Sequence, residues 1–290
     1  MSGLRELVAE ELMLPVDVRV TEIASAIAAE HGSASRAVLF YGSCLRQREL
    51  DGMMLDFYLI VSDYREAYRK RWLAAANRLV PPNVFYFEHG GLVSKYAVLS
   101  EADFAHECSS EAWTVSTAAR FAQPSRLVWV SAPESRERIV RTVETAVRTL
   151  LAWIAPTLPP GATRLETWKR AFALTFGAEL RAERVDRSAQ IVDADPGRYE
   201  TFAAAAGAIL PSAGLGSGAW WRGKQRKGKL YSIARLAKAS FTFAGGADYI
   251  AWKINRHAGT AIELKPWQRR HPLLAAVTLL PRLLGSGAVR

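Results

Sequence analysis

Cysteine is scarce in this chain. Cys44 and Cys108 are its only two among 290 residues, too few for a disulfide scaffold or a structural zinc site, which points to a reducing compartment. Long apolar runs are missing as well. No stretch approaches the roughly 20 apolar residues needed to span a bilayer, and the best candidate, Leu273–Leu284, is short and interrupted by Pro281. That segment suits lying on a membrane better than crossing one. The opening MSGLRELVAEELMLPVD lacks the basic start and apolar core of a secretory signal, and it is too acidic for a mitochondrial presequence. The 20 Gly and 13 Pro are dispersed without a period, which excludes a collagen-like or disordered chain. What is present is core material. Half the residues are hydrophobic and 23% are charged, enough for one large domain or two of ordinary size.

The net charge is +10, and it is unevenly placed. Twelve Lys and Arg lie between Trp220 and Arg270 against only Asp248 and Glu263, whereas the residues before Trp220 are nearly balanced. A localised basic field attracts a polyanion: nucleic acid, anionic lipid headgroups or a phosphorylated substrate.

Apolar periodicity predicts a helix over Val16–His31, then a strand over Ala37–Tyr41. Gly42-Ser43 follows at once, and a second strand is predicted over Leu55–Val61. A helix is expected over Tyr64–Leu79, ended by Pro81-Pro82. Val84–Phe87 and Leu92–Leu99 read as two strands of a hairpin around His89-Gly90-Gly91. Beyond Pro133 the pattern turns helical, with helices expected over Glu134–Ile154, Leu165–Leu180 and Tyr199–Leu210. Pro156–Gly161 and Pro211–Gly218 read as linkers. The resulting fold class is α+β: a mixed domain over residues 1–132, a mostly helical part over 133–265, and a tail over 266–290.

The chemistry is concentrated at Gly42-Ser43 and Asp56. A Gly-Ser turn after a strand lets backbone N–H groups approach a phosphate, and the hydroxyl adds a donor. A carboxylate on the neighbouring strand can hold Mg²⁺ against the same triphosphate. An Asp inside an otherwise apolar strand is costly without a cation or hydrogen-bond partners. This arrangement resembles the polymerase-β-like nucleotidyltransferase signature. That signature places a second acid two residues on, where this chain has Tyr58. Asp51 and Asp63 are the nearest other carboxylates. Asp63 either reaches back to a metal or caps the helix that begins at Tyr64.

A family resemblance extends these motifs. YGSCLRQ with MLDFYLIVSDY, LVSKYAVLS over Leu92–Ser100, Ala119-Arg120 with Gln123-Pro124, LTFGAELR over Leu174–Arg181, and KLYSIARLAKASFTF over Lys229–Phe243 occur in the same order as motifs of the mitochondrial translocator assembly and maintenance proteins. That family comprises CTP:phosphatidate cytidylyltransferases, the CDP-diacylglycerol synthases. The resemblance implies a polymerase-β-like nucleotidyltransferase domain, a winged-helix-like helical domain and a C-terminal amphipathic, membrane-contacting segment. It also implies the reaction of CTP with phosphatidate to give CDP-diacylglycerol and pyrophosphate, with Mg²⁺. Cys44 and Glu179 depart from the family pattern, where Gly and Asp are usual.

Under that resemblance Asp56 and Lys95 are the catalytic residues, and Asp56 with Asp63 holds the metal. Gly42, Ser43, Arg120, Glu179 and Arg181 contact substrate. Glu179 and Arg181 are two apart and share a site only if their helix ends near Leu180. Lys169, Lys229 and Lys238 are weaker anion contacts, read more simply as solvated helix charges. His89, His106 and His257 lack metal-ligand spacing. Trp220, Trp221, Trp252 and Trp267 among the Lys and Arg make an interfacial mixture suited to an anionic membrane surface, with Leu273–Leu284 inserting shallowly beside them. The implied location is cytoplasmic, peripheral to the inner face of a membrane, with no nucleic-acid partner. Two other readings stay open: transfer to a different phosphorylated or small-molecule acceptor, and a non-catalytic winged-helix protein that binds nucleic acid.

Overall fold

A computed structural model describes residues 3–47, 50–179, 187–207, 215–242, 263 and 265–270. Arg181, Trp252 and the Leu273–Leu284 segment lie outside the described residues. The fold is α+β, built on one five-stranded sheet. Its strands are β1 (Ser35–Tyr41), β2 (Met54–Val61), β3 (Asn83–His89), β4 (Leu92–Ser100) and β5 (Ser125–Val130), in the order β3-β4-β2-β1-β5. β2 and β4 are parallel, and every other neighbouring pair is antiparallel. The predicted hairpin around Gly90-Gly91 is the β3–β4 pair.

Alternation along each strand sorts side chains onto two faces. Val38, Phe40, Phe57, Leu59, Val61, Tyr96 and Val98 form one apolar face. It is covered by α2 (Val18–Glu30), whose Val20, Ile23, Ala24 and Ile27 are buried at helical spacing. Leu39, Tyr41, Tyr58, Ile60, Ala97, Leu99 and Leu127 point to the other face. There they meet α1 (Leu4–Leu12), α6 (Glu101–Glu107), α7 (Ser116–Phe121) and the 22-residue α8 (Pro133–Ile154). Beyond α8, the same apolar cluster continues into α9 (Arg164–Phe176) and α11 (Pro196–Ala206) through Trp168, Phe172, Tyr199 and Phe202. The change of composition near residue 132 therefore falls inside a continuous core. Arg198 on α11 donates to both carboxylate oxygens of Glu11 at the end of α1, so the first and last parts of that core are joined by a buried ion pair.

Several expectations need correction. Tyr64–Leu79 is not one helix but α4 (Tyr64–Ala67) and α5 (Arg71–Leu79). Tyr68 between them is extended and buries its ring against His31, Tyr64 and Phe85, a packing that interrupts the helix. Trp220 and Trp221 pack against the core and are not exposed rings. Trp221 is buried and Trp220 packs against Trp153 at 5.4 Å. Among the described residues no strand follows β5. The later elements are α8, α9, α10 (Arg187–Asp193), α11, the 25-residue α12 (Gly218–Thr242) and α13 (Pro266–Arg270). No helix among the described residues is long and apolar enough to cross a membrane.

Candidate active site

β1 and β2 bring the expected residues together. Tyr41 at the end of β1 is the cross-strand partner of Asp56 on β2, so the turn leaving β1 passes directly over the carboxylate. Gly42 makes that turn with φ +96, and a Cβ placed on it would lie 2.7 Å from Asp56 Oδ2. Only glycine satisfies both the dihedral and the space. Ser43 then opens α3 (Ser43–Gln47) and is half-buried. Loop and acid therefore converge on one face of the sheet.

Lys95 completes the pair. β4 runs parallel to β2, in register so that Lys95 lies beside Asp56. Its Nζ is 3.1 Å from Asp56 Oδ1, with one third of the Lys95 side chain and 18% of the Asp56 side chain exposed. Oδ1 itself is buried and accepts no hydrogen bond among the described residues. The contact is thus a charge pairing without hydrogen-bond alignment, a modest attraction at partial exposure. A carboxylate oxygen held this way keeps capacity for another cation.

Arg120 sits near the end of α7. Its Nη1 donates to the Tyr41 hydroxyl at 2.9 Å, and the guanidinium lies 5.0 Å from the Tyr41 ring centre and 5.9 Å from that of Tyr58. Burial alone would lower its pKa, but Tyr41, Tyr58, Glu179 and Asp56 outweigh that and hold it well above the ordinary arginine value. Arg120 therefore shares an electrostatic neighbourhood with Asp56 and Glu179. Burial also holds the Tyr41 hydroxyl protonated far above the ordinary tyrosine range, partly offset by Arg120 and Lys95. α9 ends at Phe176, and Glu179 follows in a bend three residues on. Gly228 of α12 allows this approach, since a Cβ there would lie 2.2 Å from the Ala178 carbonyl oxygen. Burial pushes the Cys44 thiol up, and the Asp56 charge adds to it, so Cys44 is held as an inert thiol behind the turn.

Asp63 is elsewhere. It caps α4, accepting from the Arg65 backbone N–H at 2.7 Å, and it pairs with Arg78 at 3.3 Å. Seven residues beyond Asp56 along an extended chain, it is roughly 20 Å away at ~3.3 Å per residue. The expected role as a metal ligand beside Asp56 is therefore corrected to a helix cap. Lys169 pairs with Asp193 at 2.6 Å, and Lys229 is exposed. Lys238 is not a solvated charge, because its Nζ donates to the carbonyl oxygens of Val80 and Pro82.

Among the described residues no group of three or more His, Cys, Asp or Glu could hold a metal. Mg²⁺ does not require one. It keeps several waters and is commonly bound by one or two carboxylates together with substrate phosphates. Asp56, with Oδ2 against the Gly42 turn and a buried Oδ1 that accepts no hydrogen bond among the described residues, fits that use. Tyr41 and Tyr58 are the members of the site that sequence reasoning overlooked. Their signal was positional: one lies opposite Asp56 across the ladder, the other two residues on along β2, both on its face.

No family model matches the chain, and no curated protein does. Among solved structures, the crystal structure of a nucleotidyltransferase-like protein from Exiguobacterium sibiricum 255-15 aligns over 92% of this chain and 92% of its own. Identity is 9% and the TM-score 0.29, a likeness that carries no weight here. The functional reading rests on the geometry and on the sequence motifs.

Proposed function

We propose that the protein is a nucleotidyltransferase that joins CMP from CTP to phosphatidate at a membrane surface, releasing pyrophosphate. The observation that carries the transfer is the contact between the Gly42-Ser43 turn and Asp56, with Lys95 and Arg120 beside them. A phosphate-binding turn, a single acid and two cations on one sheet face match the needs of a metal-bound triphosphate. In this reading the domain is of the polymerase-β-like type. Asp56 would hold Mg²⁺, which when bound neutralises charge on the triphosphate. Gly42 admits the phosphates close to the backbone, Ser43 donates its hydroxyl, and Lys95 exchanges its partner Asp56 for a phosphate oxygen. Arg120 offers N–H donors to the same anion. A phosphate monoester is already ionised near neutral pH, so its oxygen attacks the α-phosphorus without a protein base. The bond to the β-phosphate breaks, and the electron pair leaves with pyrophosphate. Positioning and charge neutralisation supply the rate.

The acceptor rests on the motif resemblance and on the exposed face of α12. Arg222, Arg226, Lys227 and Lys229 are exposed there, beside Leu230 and Ile233 at 67% and 56% exposure. Cations around aliphatic side chains suit an anionic bilayer surface. The test is incubation with α-labelled CTP, Mg²⁺ and phosphatidate vesicles, then lipid extraction. Label in the lipid phase supports the reading. Label passing only to soluble sugar phosphates or other small acceptors replaces phosphatidate, and no pyrophosphate release with any acceptor removes the transferase reading.

A further inference from the structure

Asp56 is one carboxylate, yet a triphosphate undergoing transfer carries charge that one divalent ion only partly offsets. On the same face of β2, two residues further along, a second acid would bring a second ion. This chain has Tyr58 there, 4% exposed, with its ring 5.4 Å from that of Tyr41 and 5.1 Å from that of Phe121. A carboxylate cannot replace that ring without opening an apolar layer to a charge. The position that would extend the metal site is instead the floor under a guanidinium. Arg120 lies over both tyrosine rings, within the range of cation–π attraction. Its one hydrogen bond among the described residues goes to the Tyr41 hydroxyl, so most of its five N–H donors are not engaged by protein groups described here. Asp56 and Glu179 both act on it electrostatically.

We propose that Arg120, positioned by Tyr41 and Tyr58, supplies the second fixed positive charge of a one-metal triphosphate site, in the place where a second carboxylate would bring a second ion. This rests on the nucleotidyl-transfer reading above. Arg120 is then a phosphate-contacting residue, and Tyr41 and Tyr58 are positioning residues that act through it. Rings and a hydroxyl fix the plane of the guanidinium before substrate arrives, which favours bidentate contact with phosphate. Unlike a metal ion, this charge does not dissociate, so part of the triphosphate affinity is independent of divalent ions.

The experiment uses the full chain and inorganic tripolyphosphate as probe, by titration calorimetry in EDTA, followed by Mg²⁺ dependence of pyrophosphate release from CTP. The wild type is expected to bind tripolyphosphate without metal. Arg120→Ala should weaken that binding about 10- to 100-fold, the size of a lost charge-assisted contact. Tyr41→Phe, which keeps the ring and removes the hydroxyl, should weaken it less. Asp56→Asn should leave metal-free binding unchanged or tighten it, because it removes a negative charge. Added guanidinium ion should restore turnover to Arg120→Ala, a rescue that a merely structural arginine would not show. Turnover should rise with Mg²⁺ as a single-ion saturation curve. Where Arg120→Ala does not fold by thermal melt, Arg120→Lys and Tyr41→Phe carry the same comparison.

Metal-free binding by Arg120→Ala, or by Arg120→Lys and Tyr41→Phe in its place, equal to the wild type overturns the proposal alone. So does a Mg²⁺ dependence requiring two ions. A wild type that binds no tripolyphosphate with or without Mg²⁺ overturns both this proposal and the transferase reading.

Discussion

Two pairs of cations among the described residues are at least partly withdrawn from solvent, and their surroundings are opposite. Lys95 and Arg120 face Asp56, the Tyr41 hydroxyl and the charge of Glu179. Arg235 and Lys238 on α12 face backbone: Arg235 donates to the Pro81 carbonyl at 2.8 Å, and Lys238 to those of Val80 and Pro82. These contacts with carbonyl oxygens fasten α12 over the approach to β3. Burial, with the Arg235 charge adding to it, lowers the Lys238 ammonium to about 7. The first pair meets groups whose charge an incoming anion can take over. Residues of like charge thus divide into a set suited to exchange for a ligand and a set that docks a helix. Only the partner, not the charge count, tells them apart.

That contrast breaks most visibly at the acid. Asp56→Ala is expected to cut CMP transfer by about 1000-fold or more, since metal-based charge stabilisation is worth several kcal/mol, while the thermal melt stays cooperative. Gly42→Ala should be next. Its Cβ collides with the Asp56 carboxylate at a strained φ, costing about 1–3 kcal/mol of stability and, in a transfer assay, a larger fraction of activity than the melt alone explains. Lys95→Met should lower transfer about 100-fold, in the range of a removed electrostatic donor, with little change in melting temperature because the ion pair is partly exposed.

Lys238→Met separates the second pair from the first through pH. An unfolded lysine titrates near 10.4, whereas folded Lys238 titrates near 7. Between those values the unfolded chain binds more protons, so stability rises with pH across the window, and the contribution is absent below about 7. Denaturant melts at several pH values should show that rise in the wild type and lose it in Lys238→Met. The smallest effect belongs to Lys229→Ala, exposed on α12, expected within about 0.5 kcal/mol of the wild type and unchanged in transfer to a soluble acceptor.

Much of the sheet and of the site was legible in the sequence. Continuous apolar strands on either side of Gly42-Ser43, and an Asp within the second, sufficed to place the turn against Asp56. β5 escaped notice because SRLVWV is short, follows Pro124 and carries Arg126. An edge strand of that kind gives no clear alternation. α1 was hidden by its acidic residues, although Leu4, Val8 and Leu12 recur at helical spacing and are all buried. The fate of individual charges was not legible. Asp63 follows a strand and precedes a helix, and either use is locally consistent; the cap with Arg65 settles it. Lys238 looked solvated because nothing local shows that α12 lies against residues 80–82. Tyr58 registered as a missing acid, and its use as a floor for Arg120 depends on α7, more than fifty residues away in the chain.

The central claim is that one carboxylate and one Gly-Ser turn share a metal-bound nucleoside triphosphate. A crystal structure of the full chain with Mg²⁺ and an α,β-methylene analogue of CTP tests it most directly. The account predicts the ion on Asp56, the phosphates against Gly42 and Ser43, and Arg120 in contact with a phosphate oxygen. A nucleotide seated on the α2 side of the sheet, or an ion bound away from Asp56, would contradict it.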